Sequence, residues 1–301
     1  DSVKSRAEAA WNEIAFKIKS TYARLLYLSQ AQALTRESLD LSSRLEQVAQ
    51  SRYAGGLAAQ QDVIRSQVEK TNLRAELIAW DAEMRLQRAR MNALLGRPSN
   101  ADLAPPKQMR PAPDPSRLAF DALLERARQR SPALQADAAK LRATEQSRDL
   151  TYKNRYPDFT VGVAPNQTQN SFKQWDLMLE VSIPLQQSTR RSQERESEAM
   201  VEAARSRREA TENQLSSELS ESVSALLAAT QMEALTSDAL LPQAELTFKS
   251  ALSGYEAGKV DFATLLDAQR QIRQARQTLI KAQSESQTRL ADIERLIGED
   301  L

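Results

Sequence analysis

The chain repeats itself once, at long range. Residues 51–66 read SRYAGGLAAQQDVIRS and residues 253–268 read SGYEAGKVDFATLLDA. Tyr53 aligns with Tyr255 and Gly56 with Gly258, an offset of 202 (255 − 53). Gln67 with Gln269 and Gly96 with Gly298 keep that offset. Nearer the start the offset is 201 (213 − 12): Asn12 meets Asn213, Ile14 meets Leu215, Ile18 meets Leu219, and Leu25 and Leu26 meet Leu226 and Leu227. One extra residue in the second copy, between the two sets, accounts for the change. With seven glycines in 301 residues, two coincident pairs are a strong signal. A period this long is not a solenoid repeat. It means duplication of a whole unit, with glycine at equivalent reversal points.

The rest of the composition says what that unit is made of. Ala, Leu, Glu, Gln and Arg dominate, as in long helices. There is no Cys and no His, which removes disulfides, Cys/His metal sites and imidazole acid–base catalysis together. The 41 basic and 40 acidic residues leave a formal charge of +1, so nothing draws the chain to nucleic acid. No run of about 18 apolar residues marks a transmembrane helix. The opening DSVKSRAEAAW already has a charged helical pattern rather than that of a signal peptide.

Period and punctuation divide the chain into five segments. Residues 1–96 form a first helical hairpin, down to about Arg52 and back from Leu57 to Leu95. Residues 97–118 are a linker that its prolines hold extended. Residues 119–155 are helical, with a break at Ser131-Pro132, where Ser131 is placed to cap and Pro132 to open the next helix. Residues 156–186 form a β-hairpin: Phe159, Val161 and Val163 alternate with small or polar residues, as do Trp175, Leu177, Leu179, Val181, Ile183 and Leu185. Pro165–Gln174 is the expected loop. Residues 187–301 form a second long hairpin, with one helix from Ser188 to about Ser253, broken at most near Pro242. Gly254–Gly258 turns it and Val260–Ile297 returns. The fold class is therefore mainly α: two long antiparallel helical hairpins related by duplication, with one β-hairpin of membrane-barrel type. The first copy lacks a counterpart of 119–201, so the chain is expected to be a fragment of a longer protein.

In order and spacing these elements resemble the TolC-like outer-membrane efflux proteins, with a lean toward the heavy-metal exporting subgroup. SRYAGGLAAQQDVIRSQ and SGYEAGKVDFATLLDAQRQ resemble that family's tip turns. SPALQADAAKLRATEQSRDLTYKNRYPDFTVGV resembles its helix leading into a membrane strand, and WDLMLEVSIPL the returning strand. The resemblance implies a homotrimeric, passive efflux channel of the outer membrane with a periplasmic helical extension. The tips would meet a periplasmic adaptor (a membrane fusion protein), which links to an inner-membrane pump. It implies no cofactor, no metal site and no enzyme. Tyr53, Gly56, Leu57, Tyr255, Gly258 and Val260 become candidate adaptor contacts. Trp175, Leu177, Leu179, Val181 and Ile183 become the membrane strand. Asp267 matches one aspartate of the family's tunnel mouth. A second, three residues earlier, is Thr264 here, a departure that thins any acidic ring.

Other features have plainer readings. The runs STRRSQERES and AARSRREATE interleave charges at helical spacing, which suits a solvated face. Met84 and Met91, without Cys or His nearby, suit helix packing. A coiled-coil scaffold would not explain the amphipathic strands. A periplasmic adaptor would need β-rich domains flanking a single helical hairpin.

Overall fold

Long stretches without glycine or proline become long helices. The computed structural model describes residues 2–111, 113–168, 171–183 and 187–301. Helix α1 (Ser2–Ala54) runs 53 residues without a break. It is followed by α2 (Gln60–Leu94), a short 3₁₀ turn (Pro115–Leu118), α3 (Phe120–Arg130) and α4 (Pro132–Lys153). Strands β1 (Asp158–Thr168) and β2 (Ser171–Ser182) come next, then α5 (Gln187–Leu235), a π-turn (Thr236–Leu240), α6 (Leu241–Glu256) and α7 (Phe262–Ile297). None of these helices is long and apolar enough to cross a membrane. The chain divides into two compact units: residues 1–9 with 130–215, and residues 10–129 with 216–301.

In the larger unit, the cross-helix bonds give the helix directions. The α1–α2 pairs Trp80 Nε1 to Thr35 Oγ1 (3.2 Å) and Lys70–Glu46 (2.5 Å) descend one helix as they climb the other, so these helices are antiparallel. The α5–α7 pairs Ser222–Asp292 (2.7 Å) and Gln283–Glu233 (3.0 Å) do the same in the second copy. Arg270–Glu69 and Gln277–Glu76 keep the same separation in sequence, 201 residues, so α2 and α7, the two return helices, run parallel. Among the described residues, two apolar clusters fill the space. One holds Leu25, Tyr27, Leu28, Ala31, Met84 and Met91, which gives both methionines the packing role expected of them. The other, beside the turns, holds Leu45, Ala49, Ala251, Tyr255, Phe262, Leu265, Leu266 and Ala268.

The proline-rich linker is docked rather than free. Asn92 Nδ2 donates to the carbonyls of Ser99 (3.2 Å) and Ala101 (2.8 Å), and Gln287 Nε2 to that of Arg110 (2.8 Å). Arg110 also joins Lys19 on the buried Glu294 carboxylate, at 2.9 and 2.8 Å. Two cations and the Leu301 N–H (2.9 Å) satisfy that carboxylate inside the unit.

In the smaller unit, α4 lies antiparallel to the first part of α5. Thr211 donates to Asp137 (2.7 Å), Tyr152 to Glu198, and Arg155 to Glu194 (2.7 Å). These ties occupy part of the interleaved charge run, which lies on helix surface as its spacing predicts.

Two details differ from the sequence reading. Ser131 holds the N-cap position of α4 without a side-chain capping bond; the Pro132 ring, fixed in φ and lacking an N–H, opens the helix without one. Pairing of β1 with β2 continues through Pro165↔Trp175 to Thr168↔Ser171, so the expected loop Pro165–Gln174 is mostly strand. Polar side chains do not stop a ladder whose bonds are main-chain, and the irregularity falls instead between Asn166 and Gln167. Only 169–170 of that loop, and Leu185 of the expected strand face, lie outside the described residues. The break expected near Pro242 falls just before it, in the π-turn Thr236–Leu240.

Candidate functional site

Both glycine turns are built alike. Helix α1 ends with Leu57 N–H on Arg52 O (2.8 Å) and Gly56 N–H on Tyr53 O (2.9 Å). Helix α6 ends with Lys259 N–H on Gly254 O (2.7 Å) and Gly258 N–H on Tyr255 O (3.0 Å). This is the Schellman closure, and it puts Gly56 at φ 70° and Gly258 at φ 72°, where a side chain is strained. Gly254 is different: it is helical, and a Cβ there would stand 3.1 Å from Val260 Cγ2. It is a close-approach glycine, letting the returning chain fold against α6.

The turns expose different residues. Leu57 is 71% exposed and Tyr53 about half exposed, while Gly56 and Gly258 are open and Val260 is half-buried. Tyr255 departs from the expectation of a surface contact: it is 3% exposed. Its ring packs on Phe262 at 5.3 Å, and burial pushes its hydroxyl pKa up. Arg52 lies over that ring, 4.9 Å from its centre, and donates to Glu256 O at 2.9 Å. One guanidinium thus ties the first turn to a C-terminal carbonyl of the helix that leads into the second. The repeat alignment pairs Arg52 with Gly254, so this tie exists in one direction only and similarity between the copies could not reveal it.

Helix α7 opens with an N-cap. Asp261 accepts from Thr264 N–H (2.8 Å) and Thr264 Oγ1 (2.6 Å). The corresponding Ala59 has no such bond. The Thr264 hydroxyl first, and its N–H second, hold the Asp261 carboxyl below its usual 3.8. A depressed carboxyl stabilises the fold above its unfolded pKa and loses that contribution as pH falls through the folded value. Hydrogen exchange at the first turn of α7 should therefore quicken as pH is lowered through and below about 3.8, after correction for intrinsic rates. Asp261→Asn keeps the cap without the charge, and should remove that dependence.

Thr264, Asp267 and Arg270 follow at three-residue steps along one exposed face of α7. Asp267, 67% exposed at its side chain, pairs with Arg270 at 3.5 Å. Arg270 also reaches across to α2, its Nε and Nη2 at 3.0 and 2.7 Å from Glu69 Oε2. The Glu69 side chain is 5% exposed, and Arg273 stands 3.8 Å from its other oxygen. Glu69 falls on the helical face of Ser66 and Leu73, both buried. A carboxylate at a core-spaced position is the signal that sequence reading passed over.

In the smaller unit the hairpin has one apolar face. The register sets Phe159 opposite Val181, Val161 opposite Leu179, Val163 opposite Leu177 and Pro165 opposite Trp175. Paired residues share a face, and every one of these eight is exposed, Leu177 at 77%. Ile183 is exposed just beyond β2. The other face carries Thr160, Ala164, Asp176, Glu180 and Ser182, with Met178 the one large apolar residue among those whose side chains are described. An isolated two-stranded ribbon of this kind is marginal in water. Strands of about 9–11 residues, apolar outward and polar inward, are what a lipid-facing barrel wall requires.

A barrel-wall hairpin on a chain of long, glycine-closed helical hairpins defines a channel of the outer membrane with a helical extension. Comparison with known proteins narrows the class. The outer membrane efflux protein family matches residues 123–299. The cobalt-zinc-cadmium resistance protein CzcC of Cupriavidus metallidurans is 26% identical over 300 residues, covering 95% of this chain and 68% of that protein. The outer-membrane channel OprN has the same fold, with a TM-score of 0.85 at 19% identity, over 99% of this chain and 68% of that one. So does VceC of Vibrio cholerae, at TM-score 0.85 and 20% identity, over 99% and 73%. The chain belongs to the outer membrane efflux protein family. Its place is the outer membrane, with the helices extending into the periplasm, and its role is that of the channel in a tripartite efflux system.

Proposed function

We propose that the protein works as a homotrimer, a passive conduit that carries divalent heavy-metal ions from the periplasm to the exterior. An inner-membrane pump supplies the energy, and a periplasmic adaptor docks on the tips. The observation that carries this reading is the pairing, in one chain, of a lipid-ready hairpin face with two glycine-closed tips. The metal assignment follows CzcC, whose name records cobalt, zinc and cadmium resistance. Trimerisation is supported by helix faces that stay uncovered in the single chain: Ile64, Val68, Ile78 and Leu86 on α2, and Leu227, Leu235 and Leu246 on α5 and α6. Exposed apolar stripes of this length call for a partner.

Tyr53, Gly56, Leu57, Gly258 and Val260 are the adaptor-facing positions, with Tyr255 supporting them from below. Asp267 and Thr264 line the tunnel mouth, where Arg270 offsets part of the acidic charge. Two measurements test the proposal. A host lacking the gene should lose tolerance to cobalt, zinc and cadmium salts, and the intact gene should restore it. In planar bilayers, Asp267→Ala in the full-length protein should raise single-channel conductance and lower cation preference. Unchanged metal tolerance removes the substrate assignment, and unchanged conductance removes Asp267 from the gate.

A further inference from the structure

The two copies of the duplicated unit differ by one residue, and the structure shows where that residue goes. Up to Leu26 and Leu227 the offset is 201 (227 − 26), and by Tyr53 and Tyr255 it is 202 (255 − 53). In the first copy this interval is uninterrupted α-helix within α1. In the second it contains the π-turn Thr236–Leu240, where Leu241 N–H bonds to Thr236 O, five residues back. A π-turn is how a helix absorbs a single extra residue without rephasing what flanks it. Pro242 follows at once. It has no N–H to give, and in a regular α-helix its ring would press on the Asp238 carbonyl. The helix is therefore short of regular bonding on both sides of this point.

The same comparison exposes a lost anchor. Thr35 and Thr236 are equivalent at offset 201 (236 − 35), and both are fully buried. The Thr35 hydroxyl donates to Ala31 O at 2.9 Å and accepts from Trp80 Nε1 at 3.2 Å. The Thr236 hydroxyl has no partner. The counterpart of Trp80 at offset 202 is Ala282, which has nothing to donate from its side chain. Thr230 and Thr247, on either side, both bond back to the helix, at 3.0 and 2.8 Å. Just past the turn, a cleft between α6 and α7 is lined by Leu240, Gln243, Ala244, Gln271, Gln274 and Ala275. Before the turn the second-copy helices are tied by Glu233–Gln283. After it the tie is Arg276–Glu245 at 3.4 Å, together with the cluster around Tyr255 and Phe262.

We infer that the π-turn Thr236–Leu240 is a hinge on which α6 and the glycine turn it carries swing, while α1, its uninterrupted equivalent, stays straight. A buried hydroxyl without a partner and a helix without its regular bonds both raise the energy of the observed arrangement. An alternative local geometry, with the Thr236 hydroxyl bonded back to Met232 O as Thr35 is to Ala31, is correspondingly near. The swing would carry Tyr255 off Arg52 and change the mouth at Asp267. That consequence rests on the conduit reading; the hinge does not.

Hydrogen exchange on the full-length protein tests it. Amides of 237–246 should exchange about tenfold or more faster than those of the equivalent stretch 36–44 in α1, since local opening scales with missing bonds and packing. Deleting Ser237 together with Pro242→Ala makes the second copy match the first, and should slow exchange over 238–246 toward the α1 rate. If this variant does not fold, the comparison of the two copies in the unaltered protein still decides. Equal protection of the two stretches overturns the hinge, and so does a straightened variant that folds with no change in exchange. A contrast in exchange that persists where metal tolerance and conductance fail would instead dismiss the conduit reading and leave the hinge.

Discussion

Phe262→Ala will detach the second glycine turn from the bundle. Phe262 is fully buried at the first turn of α7, packed on Tyr255 and sharing a cluster with Leu45, Ala49, Leu265 and Leu266. Emptying such a site costs about 3–5 kcal/mol, through lost burial and the cavity left behind. Collapse cannot fill it easily. The neighbours are two long helices held by the turn itself, and Gly254 already lets Val260 approach closely. Loss of Phe262 also frees the Tyr255 ring, and with it the surface over which Arg52 sits. The expected result is a large fall in the denaturation midpoint, with exchange of α6 amides rising first. Tyr255→Phe is the control. The Tyr255 hydroxyl is buried with no partner, so its removal should be neutral or slightly stabilising. A Phe262→Ala protein as stable as the parent would mean that the turns are held by their main-chain bonds alone.

Much of this was legible in the residues, because helices, turns and strands are local. The glycine pairs located both tips, and period-two alternation located the hairpin and its apolar face. Period and composition gave long helices with ends within a few residues of those observed. What was not legible depended on which helix lies beside which. Tyr255 reads as an exposed tip aromatic because its counterpart Tyr53 is one; only the packing of Phe262 and Arg52 buries it. Glu69 reads as another charge on a charged helix until Arg270, 201 positions away, is found opposite. The π-turn was half legible. The change of offset announced an extra residue, and Pro242 suggested a break, but neither says that the helix would keep its course by widening.

The second large effect is expected at Glu69. Its carboxylate is almost wholly buried between the two return helices and is held by Arg270 at 2.7 Å and Arg273 at 3.8 Å. The Glu69 carboxylate holds the Arg270 guanidinium pKa above its ordinary value through their hydrogen bond. Replacing both arginines by alanine leaves the anion buried without a cation, which costs about 3–5 kcal/mol. Adding Glu69→Gln to that double variant should recover much of the loss, because a neutral amide has far less to lose on burial. This ordering, with the triple variant more stable than the double, separates electrostatics from mere loss of side-chain packing. Packing alone would make the triple variant no better. Loss of Arg270 and Asp267→Ala are expected to have opposite effects on cation preference at the proposed mouth. Without Arg270 the tie from α7 to Glu69 of α2 is lost, although Gln277–Glu76 remains, so on the conduit reading the tip should open more readily and conductance should rise. Asp267 also loses its partner at 3.5 Å, so cation preference should rise as well, whereas Asp267→Ala raises conductance and lowers that preference. Measuring both quantities on both variants therefore distinguishes a mouth narrowed by the Arg270 tie from one narrowed by acidic charge.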